Sequence, residues 1–361
     1  MQILLVNDVS GVHEYLYRGL IELGHECELV PFDRPTIAHI THARNFFPLK
    51  NWGIIGKSLR PIINLSRVRS LPYYDVVSFM HRISFINKPH FLRYVDTPLV
   101  SEKTQVMSYT ALGCDELGYL FENPVLPYRP CESCERQDEA GQYCIKVNRP
   151  SHSKATSVLN KYFNVVTSPA IEYDHIRGLF EGPSEKIPFP LDLSEVPWKP
   201  AKNANAKLNI IHTPSRNGFK GTDVVLAAIE ILKKKRNDFE FSLIQGLAWE
   251  KYIAAVSAAD VVIDQVWSQS SGMNGLWLLG MGKVVLSGNT TLCKGYFSFG
   301  QENPIIDAPP EAQLLANKLE SVFDNKQKIP ALVEQGRNYV AKHHNHINIA
   351  QQHIDLWKRV T

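Results

Sequence analysis

The residues most able to do chemistry lie in one stretch, from Asn209 to Lys235. An apolar run, Leu208 to Ile211, breaks into a polar loop holding Pro214, Gly218 and Gly221. An amphipathic helix follows, with Val224, Val225, Ala228, Ile229 and Leu232 on one face. A strand–loop–helix of this kind aims backbone N–H groups and a helix N-terminus at whatever sits above the loop. Arg216 and Lys220 add two cations to that loop, beside Ser215. The chemistry this suits is the holding of a phosphate-bearing ligand.

A second constellation is Cys114, Cys131, Cys134 and Cys144, of six cysteines in all. The pair Cys131 and Cys134 has chelating spacing, and Cys144 and Cys114 could complete a tetrahedral structural zinc site. A disulfide or redox pair, and unliganded thiols, are the other two readings. Four thiolates would leave no open position for catalysis. The histidines at 343, 344, 346 and 353 read as a solvated helix face in preference to a metal site. Lys233 to Arg236 reads as cations favoured at a helix C-terminus, not as a nucleic-acid patch.

These groups must be positioned by a fold, and the chain is long enough for two domains. It has 361 residues, 44% hydrophobic and 21% charged, in the range of ordinary globular proteins. The net charge of +3 gives no argument for nucleic acid. No window resembles a spanning helix or a secretory leader, so a cytoplasmic protein is expected, with its cysteines reduced.

The chain opens with a strand at 2–6, a loop at 7–11 and a helix from Val12 to Leu23 ended by Gly24, with a second strand from Glu28 to Val30. Gly11 sits where backbone turns tightly or approaches a ligand. Arg34 to Tyr74 contains no acidic residue, and its cations alternate with Phe46, Phe47, Trp52 and isoleucines. That segment reads either as a contact with an anionic membrane surface, placing the protein peripherally at the inner face of the plasma membrane, or as an ordinary packed insertion. Strands are expected at 75–81, 98–101 and 163–169, with a helix from Ala170 to Leu179. His81 then stands at a strand end, where open α/β sheets bind ligands.

A Pro-rich segment from Ile187 to Pro200, followed by a polar run to Lys207, reads as the boundary between domains. Beyond it strands and helices alternate again: strands at 239–244, 260–264 and 284–286, helices at 249–259 and 275–282, with Gly246 in one connecting loop. The second half is thus a second doubly wound parallel sheet. One long helix, from about Glu334 to Arg359, closes the chain.

In this order the motifs resemble the retaining, nucleotide-sugar-dependent glycosyltransferases of family 4, which have the GT-B fold. Ser10 to Glu14, including Gly11 and His13, is similar to the family's N-terminal glycine loop. Gly113-Cys114-Asp115 is similar to its Gly-Ser-Asp turn, and Ile187 to Asp192 to its interdomain strand. His212 to Arg216 with Lys220 to Thr222 resembles the donor-diphosphate loop. Asp260 to Gln265 and Gly272 to Asn274 resemble the strand, loop and helix under the donor sugar. The family's paired glutamates fall on Gln269 and Trp277 here, neither of them acidic.

The resemblance implies two Rossmann-like domains facing across a cleft. Residues 1–186 would bind a glycan, lipid-linked or other acceptor and carry the cysteine-rich insertion at about 113–145. Residues 187–338 would bind a nucleotide-diphosphate sugar, and 339–361 would cross back onto the first domain. It implies Arg216 and Lys220 on the diphosphate, with no catalytic divalent cation required. Gly11, His13, Ser215, Gly246, Gln269, Ser270, Ser271, Gly272, Asn274 and Trp277 would surround the donor. Asp115 and His81 are candidates for acceptor or donor-sugar contacts. With no carboxylate at 269 or 277, a non-catalytic sugar-nucleotide or glycan-binding protein on the same fold is the alternative.

Overall fold

In a computed structural model, the described residues are 1–30, 53–86, 90–114, 117, 125–135, 149–201 and 207–361. They form two parallel sheets. The first holds six strands in the order β2-β1-β3-β4-β5-β6: β1 Gln2–Val6, β2 Glu26–Val30, β3 Tyr74–Met80, β4 Thr104–Thr110, β5 Val165–Ser168 and β6 Ser184–Lys186. The second holds five in the order β11-β10-β9-β7-β8: β7 Leu208–His212, β8 Phe239–Leu243, β9 Val261–Ile263, β10 Val284–Ser287 and β11 Ile306–Asp307. Every pairing is parallel. Strands buried on both faces need apolar residues at consecutive positions, and Ile3 to Val6, Val261 to Ile263 and Val284 to Leu286 supply them.

Helices cover both sheets. Val12–Glu22 packs with β1 and with the last helix of the chain, around Leu16, Leu20, Ile349, Ile354 and Trp357. Thr222–Lys233 buries Val225, Ala228, Ile229 and Leu232 against β7 and β9, as its spacing requires. No described helix is long and apolar enough to cross a membrane.

Several expectations need correction. Pro98 to Ser101 is not a strand but part of the short helix Thr97–Ser101. Proline suits a first helical turn, where its missing N–H costs nothing, and a short apolar run cannot distinguish the two states. The strand in this place is β4. The turn after β5 is a 3₁₀ helix, Ile171–Gly178, not an α-helix. The loop expected to hold phosphate contains a short helix, Asn217–Lys220.

The C-terminal element is two helices, Ile329–His343 and His346–Arg359. The break is made by Asn345, whose side-chain oxygen accepts from the N–H groups of Ile347 and Asn348 and starts a new helix. His344, His346 and His353 are buried, not solvated. The last helix lies over Val12–Glu22, so its histidine side faces protein: a methyl group on Gly19 would sit 2.3 Å from the His346 carbonyl oxygen. The linker meets the same break. The Leu191 N–H donates to the His344 carbonyl at 2.7 Å, and the His344 ring bonds the Phe189 carbonyl at 2.9 Å.

Candidate functional site

The site is built at the carboxyl ends of β7 and β9. His212, last residue of β7, is buried; its Nδ1 lies 2.7 Å from the Ile263 carbonyl and its Nε2 3.0 Å from the Thr222 hydroxyl. Burial lowers its pKa, so a neutral ring staples β7 to β9 and to the following helix. Between them the chain turns through Gly221 at φ +73°, where a Cβ would stand 2.2 Å from Val266. Only glycine fits this turn, which brings Lys220 over β9.

Lys220 Nζ donates to Asp264 Oδ1 and to Gln265 Oε1, both at 2.9 Å. The Asp264 side chain is 0% exposed. It also accepts from Asn274 Nδ2 at 2.7 Å and from Ser287 Oγ at 3.1 Å. The other end of the Asn274 amide accepts from the Tyr252 hydroxyl at 2.9 Å. Arg216 is arranged differently: its guanidinium stands 3.6 Å from the centroid of Phe219, and its Nη1 lies 3.8 Å from Cys134 Sγ. One of the two expected cations is therefore held by a buried carboxylate and the other by an aromatic face. Ser215 is exposed beside them.

The cysteine-rich stretch of the N-terminal half packs on this loop. A Cβ on Gly218 would lie 1.9 Å from the Ser133 carbonyl oxygen, and the Phe219 N–H donates to Glu135 Oε2 at 3.1 Å. Among the described residues, Cys114, Cys131 and Cys134 do not form a group of three potential metal ligands; Cys144, the fourth expected ligand, lies outside them, as does Asp115. The one group of potential metal ligands found among the described residues is Glu22, Asp192 and His346.

The loop from Gln265 to Ser271 closes the other side. Gln269 is 0% exposed and donates through Nε2 to the Tyr128 carbonyl at 2.9 Å. Ser271 is buried, with its hydroxyl 3.4 Å from the Gly272 carbonyl. Gly272 opens the helix Gly272–Met281. Trp277 lies inside that helix's packed face, 8% exposed and edge-on to Trp249 at 5.3 Å. Gly246 is exposed, on a loop whose Gln245 donates through Nε2 to Asn217 Oδ1.

Across the cleft, Asn7, Ser10 and His81 all have left-handed backbones, uncommon outside glycine and a frequent mark of functional strain. Asn7 Nδ2 donates to the Met80 carbonyl at 3.1 Å, and His81 Nδ1 lies 3.2 Å from the Leu112 carbonyl. The N–H groups of Gly11, His13 and Glu14 all donate to Asp8, at 2.9, 2.8 and 3.2 Å. The first turn of this helix thus binds its own carboxylate, and burial lifts Asp8 to about 6. His13 is fully buried, with Nδ1 2.7 Å from the Asn7 carbonyl.

Sequence reasoning missed three carboxylates. Asp8 precedes a helix start at cap-like spacing, and Asp264 ends a strand, so both carried a signal. Glu172 carried none. It reaches from the N-terminal half to accept from Ser268 Oγ at 2.6 Å and from Ser270 N and Oγ, both at 2.7 Å.

No family model and no curated protein matches this sequence. Solved structures do. A sucrose-phosphate synthase from Thermosynechococcus elongatus superposes with TM-score 0.64 at 14% identity, covering 100% of this chain and 99% of that one. HepE from Anabaena, in complex with UDP and glucose, gives 0.63 at 12%, covering 99% and 100%. The catalytic domain of starch synthase IV from Arabidopsis thaliana, bound to ADP and acarbose, gives 0.60 at 12%, covering 100% and 99%. With two parallel-sheet α/β domains and full-length superposition on such enzymes, the chain has the GT-B fold of glycosyltransferases.

Proposed function

We propose that this protein transfers a sugar from a nucleotide-diphosphate sugar to a hydroxyl of a glycan or other acceptor. The observation that carries the reading is the Lys220–Asp264 pair, set with Arg216 at the carboxyl ends of β7 and β9. In open α/β sheets this is where ligands bind. Lysine carries three N–H donors, and two are used by Asp264 and Gln265, leaving one for a phosphate oxygen. Arg216 would meet the same diphosphate with its planar fork. Both cations stabilise the leaving group as its charge grows in the transition state, so no divalent cation is required.

The reaction would retain anomeric configuration, with the departing phosphate assisting the acceptor hydroxyl. The acceptor would enter from residues 1–186, the donor from 187–338, and closure would turn about the linker from Ile187 to Pro200. Structures of similar fold hold UDP, UDP-glucose or ADP, which makes uridine and adenosine sugars the first donors to try.

A second reading has its own observation. Trp277 is packed in the core and Gln269 is tied to the Tyr128 carbonyl, so this loop offers no carboxylate to ribose or sugar. A binding protein without turnover would look the same here. Purified protein incubated with UDP-, GDP- and ADP-sugars, with and without oligosaccharide acceptors, decides between them. Donor hydrolysis or transfer supports the enzyme. Binding without turnover for every donor supports the second reading, and no binding of any nucleotide sugar removes both.

A further inference from the structure

We propose that Glu172 is a cross-domain positioning residue: its carboxylate sets the loop from Ser268 to Ser270 and, through Gln265, the ammonium of Lys220. The inference rests on the donor-site reading given above.

The stretch from Gln265 to Gln301 contains no acidic residue. The carboxylate beside the loop comes instead from the 3₁₀ helix Ile171–Gly178 of the other domain. Glu172 is 2% exposed, so its charge is removed from water and is stabilised by donors that the loop supplies. Three such bonds come from two residues: the Ser268 hydroxyl, the Ser270 hydroxyl and the Ser270 N–H.

From Ser270 the connection continues. The Ser270 carbonyl accepts from Gln265 Nε2 at 2.8 Å, and Gln265 Oε1 accepts from Lys220 Nζ at 2.9 Å. An amide has one donating end and one accepting end, so the Ser270 carbonyl fixes which end Gln265 turns to the lysine. A continuous path of hydrogen bonds thus runs from one domain, through the loop, to the phosphate cation of the other. The opposite edge of the loop is fixed within its own domain: the Thr290 N–H donates to the Gln269 carbonyl, and Gly288 abuts Ser268. Two parts of this frame depend on how the two domains sit: Glu172, and Tyr128, whose carbonyl accepts from Gln269 Nε2. Of the two, Glu172 is the one joined through Ser270 to Gln265 and Lys220.

The same 3₁₀ helix is tied to the C-terminal domain a second time. The Tyr296 hydroxyl stands 2.8 Å from both Ser168 Oγ and Asp174 Oδ1, and Lys186 Nζ reaches the Tyr296 carbonyl at 3.3 Å. Loss of Glu172 therefore leaves the domains joined, and its effect falls on the loop.

The test is a double-mutant cycle on ligand affinity. UDP, GDP and ADP are each titrated by calorimetry into wild type, Glu172→Ala, Gln265→Ala and the double variant. Acting through Gln265, Glu172→Ala weakens the nucleotide that wild type binds by about tenfold, and by less than about twofold in the Gln265→Ala background. Glu172→Gln, whose carbonyl still accepts from Ser270 N–H while its amide donates to a rotated hydroxyl, restores most of the affinity. Equal losses in both backgrounds, or no loss, overturn the inference. If wild type binds none of the three, the donor-site reading is what fails, and hydrogen exchange decides this one without ligand. Peptides spanning 265–272 exchange faster in Glu172→Ala while those spanning 222–233 do not; unchanged protection of 265–272 overturns it.

Discussion

Lys220 Nζ lies 2.9 Å from Asp264 Oδ1, and the aspartate is completely buried. Removing the lysine therefore removes the cation proposed to meet the diphosphate and strands an anion at once. Lys220→Ala is expected to lower unfolding stability by about 3–5 kcal/mol, the cost of breaking a buried pair from one side. Asp264→Asn in the same chain should recover much of that loss. Urea midpoints of wild type, Lys220→Ala and the double variant check it, and full stability of Lys220→Ala would show the pair to be unimportant.

Arg216 predicts the opposite balance. Its folded-state partners are the Phe219 ring and the Cys134 sulfur, contacts of about 0.5–1 kcal/mol at a partly exposed site. Arg216→Ala should fold nearly as well as wild type. It should lower kcat/KM by about 2–4 kcal/mol if the guanidinium stabilises a departing diphosphate. Unchanged kinetics would remove Arg216 from the mechanism.

Acid should destabilise the fold through its histidines. Burial holds His13 and His344 down at about 4 and His353 at about 3, against an ordinary 6.5. As pH falls below 6.5 the unfolded chain binds protons that the folded rings refuse, so each ring withdraws stability across that window. Asp8 acts in the other direction. With its carboxyl lifted from 3.8 to about 6, the fold keeps a proton that the unfolded chain has lost, and that contribution disappears as pH rises through 6. Three groups outweigh one. Between about pH 6 and pH 5, stability should fall, each ring inside its window contributing about 1.4 kcal/mol per unit. Urea midpoints through that range measure it, and His353→Leu should flatten the slope.

Placing at 277 the glutamate that the resembled family carries there should fail. Trp277 stands among Met273, Leu276, Trp249 and other apolar groups at 8% exposure. Trp277→Glu would place a carboxylate there and remove a large ring, for a loss of at least about 3 kcal/mol. A variant that is both stable and tighter for nucleotides would show instead that the position faces the donor.

The sheets were largely legible because their strands are consecutive apolar runs bounded by turn residues. The loop after β7 was legible as a loop because Pro214, Gly218 and Gly221 punctuate it. What failed was local ambiguity: Val100 is buried in a helix as readily as in a strand, so Thr97–Ser101 misled. The buried histidines misled for another reason. A helix's own spacing does not say what lies over it, and the Gly19 contact with His346 joins residues at opposite ends of the chain. Glu172 is the extreme case. Its partners are Ser268 and Ser270, and neither end bears any sequence mark of the other.

The chain crosses between its domains twice, once at Leu191 and once at His344 and Asn345, and the two crossings are bonded to each other. A single tether would allow the domains to swing, twist and slide. Two adjoining tethers define a line in space. Rotation about that line bends both strands together, whereas sliding along it must shear the Leu191–His344 bond. The two crossings therefore form one joint, and any motion that parts them has to break the 2.7 Å bond from the Leu191 N–H to the His344 carbonyl.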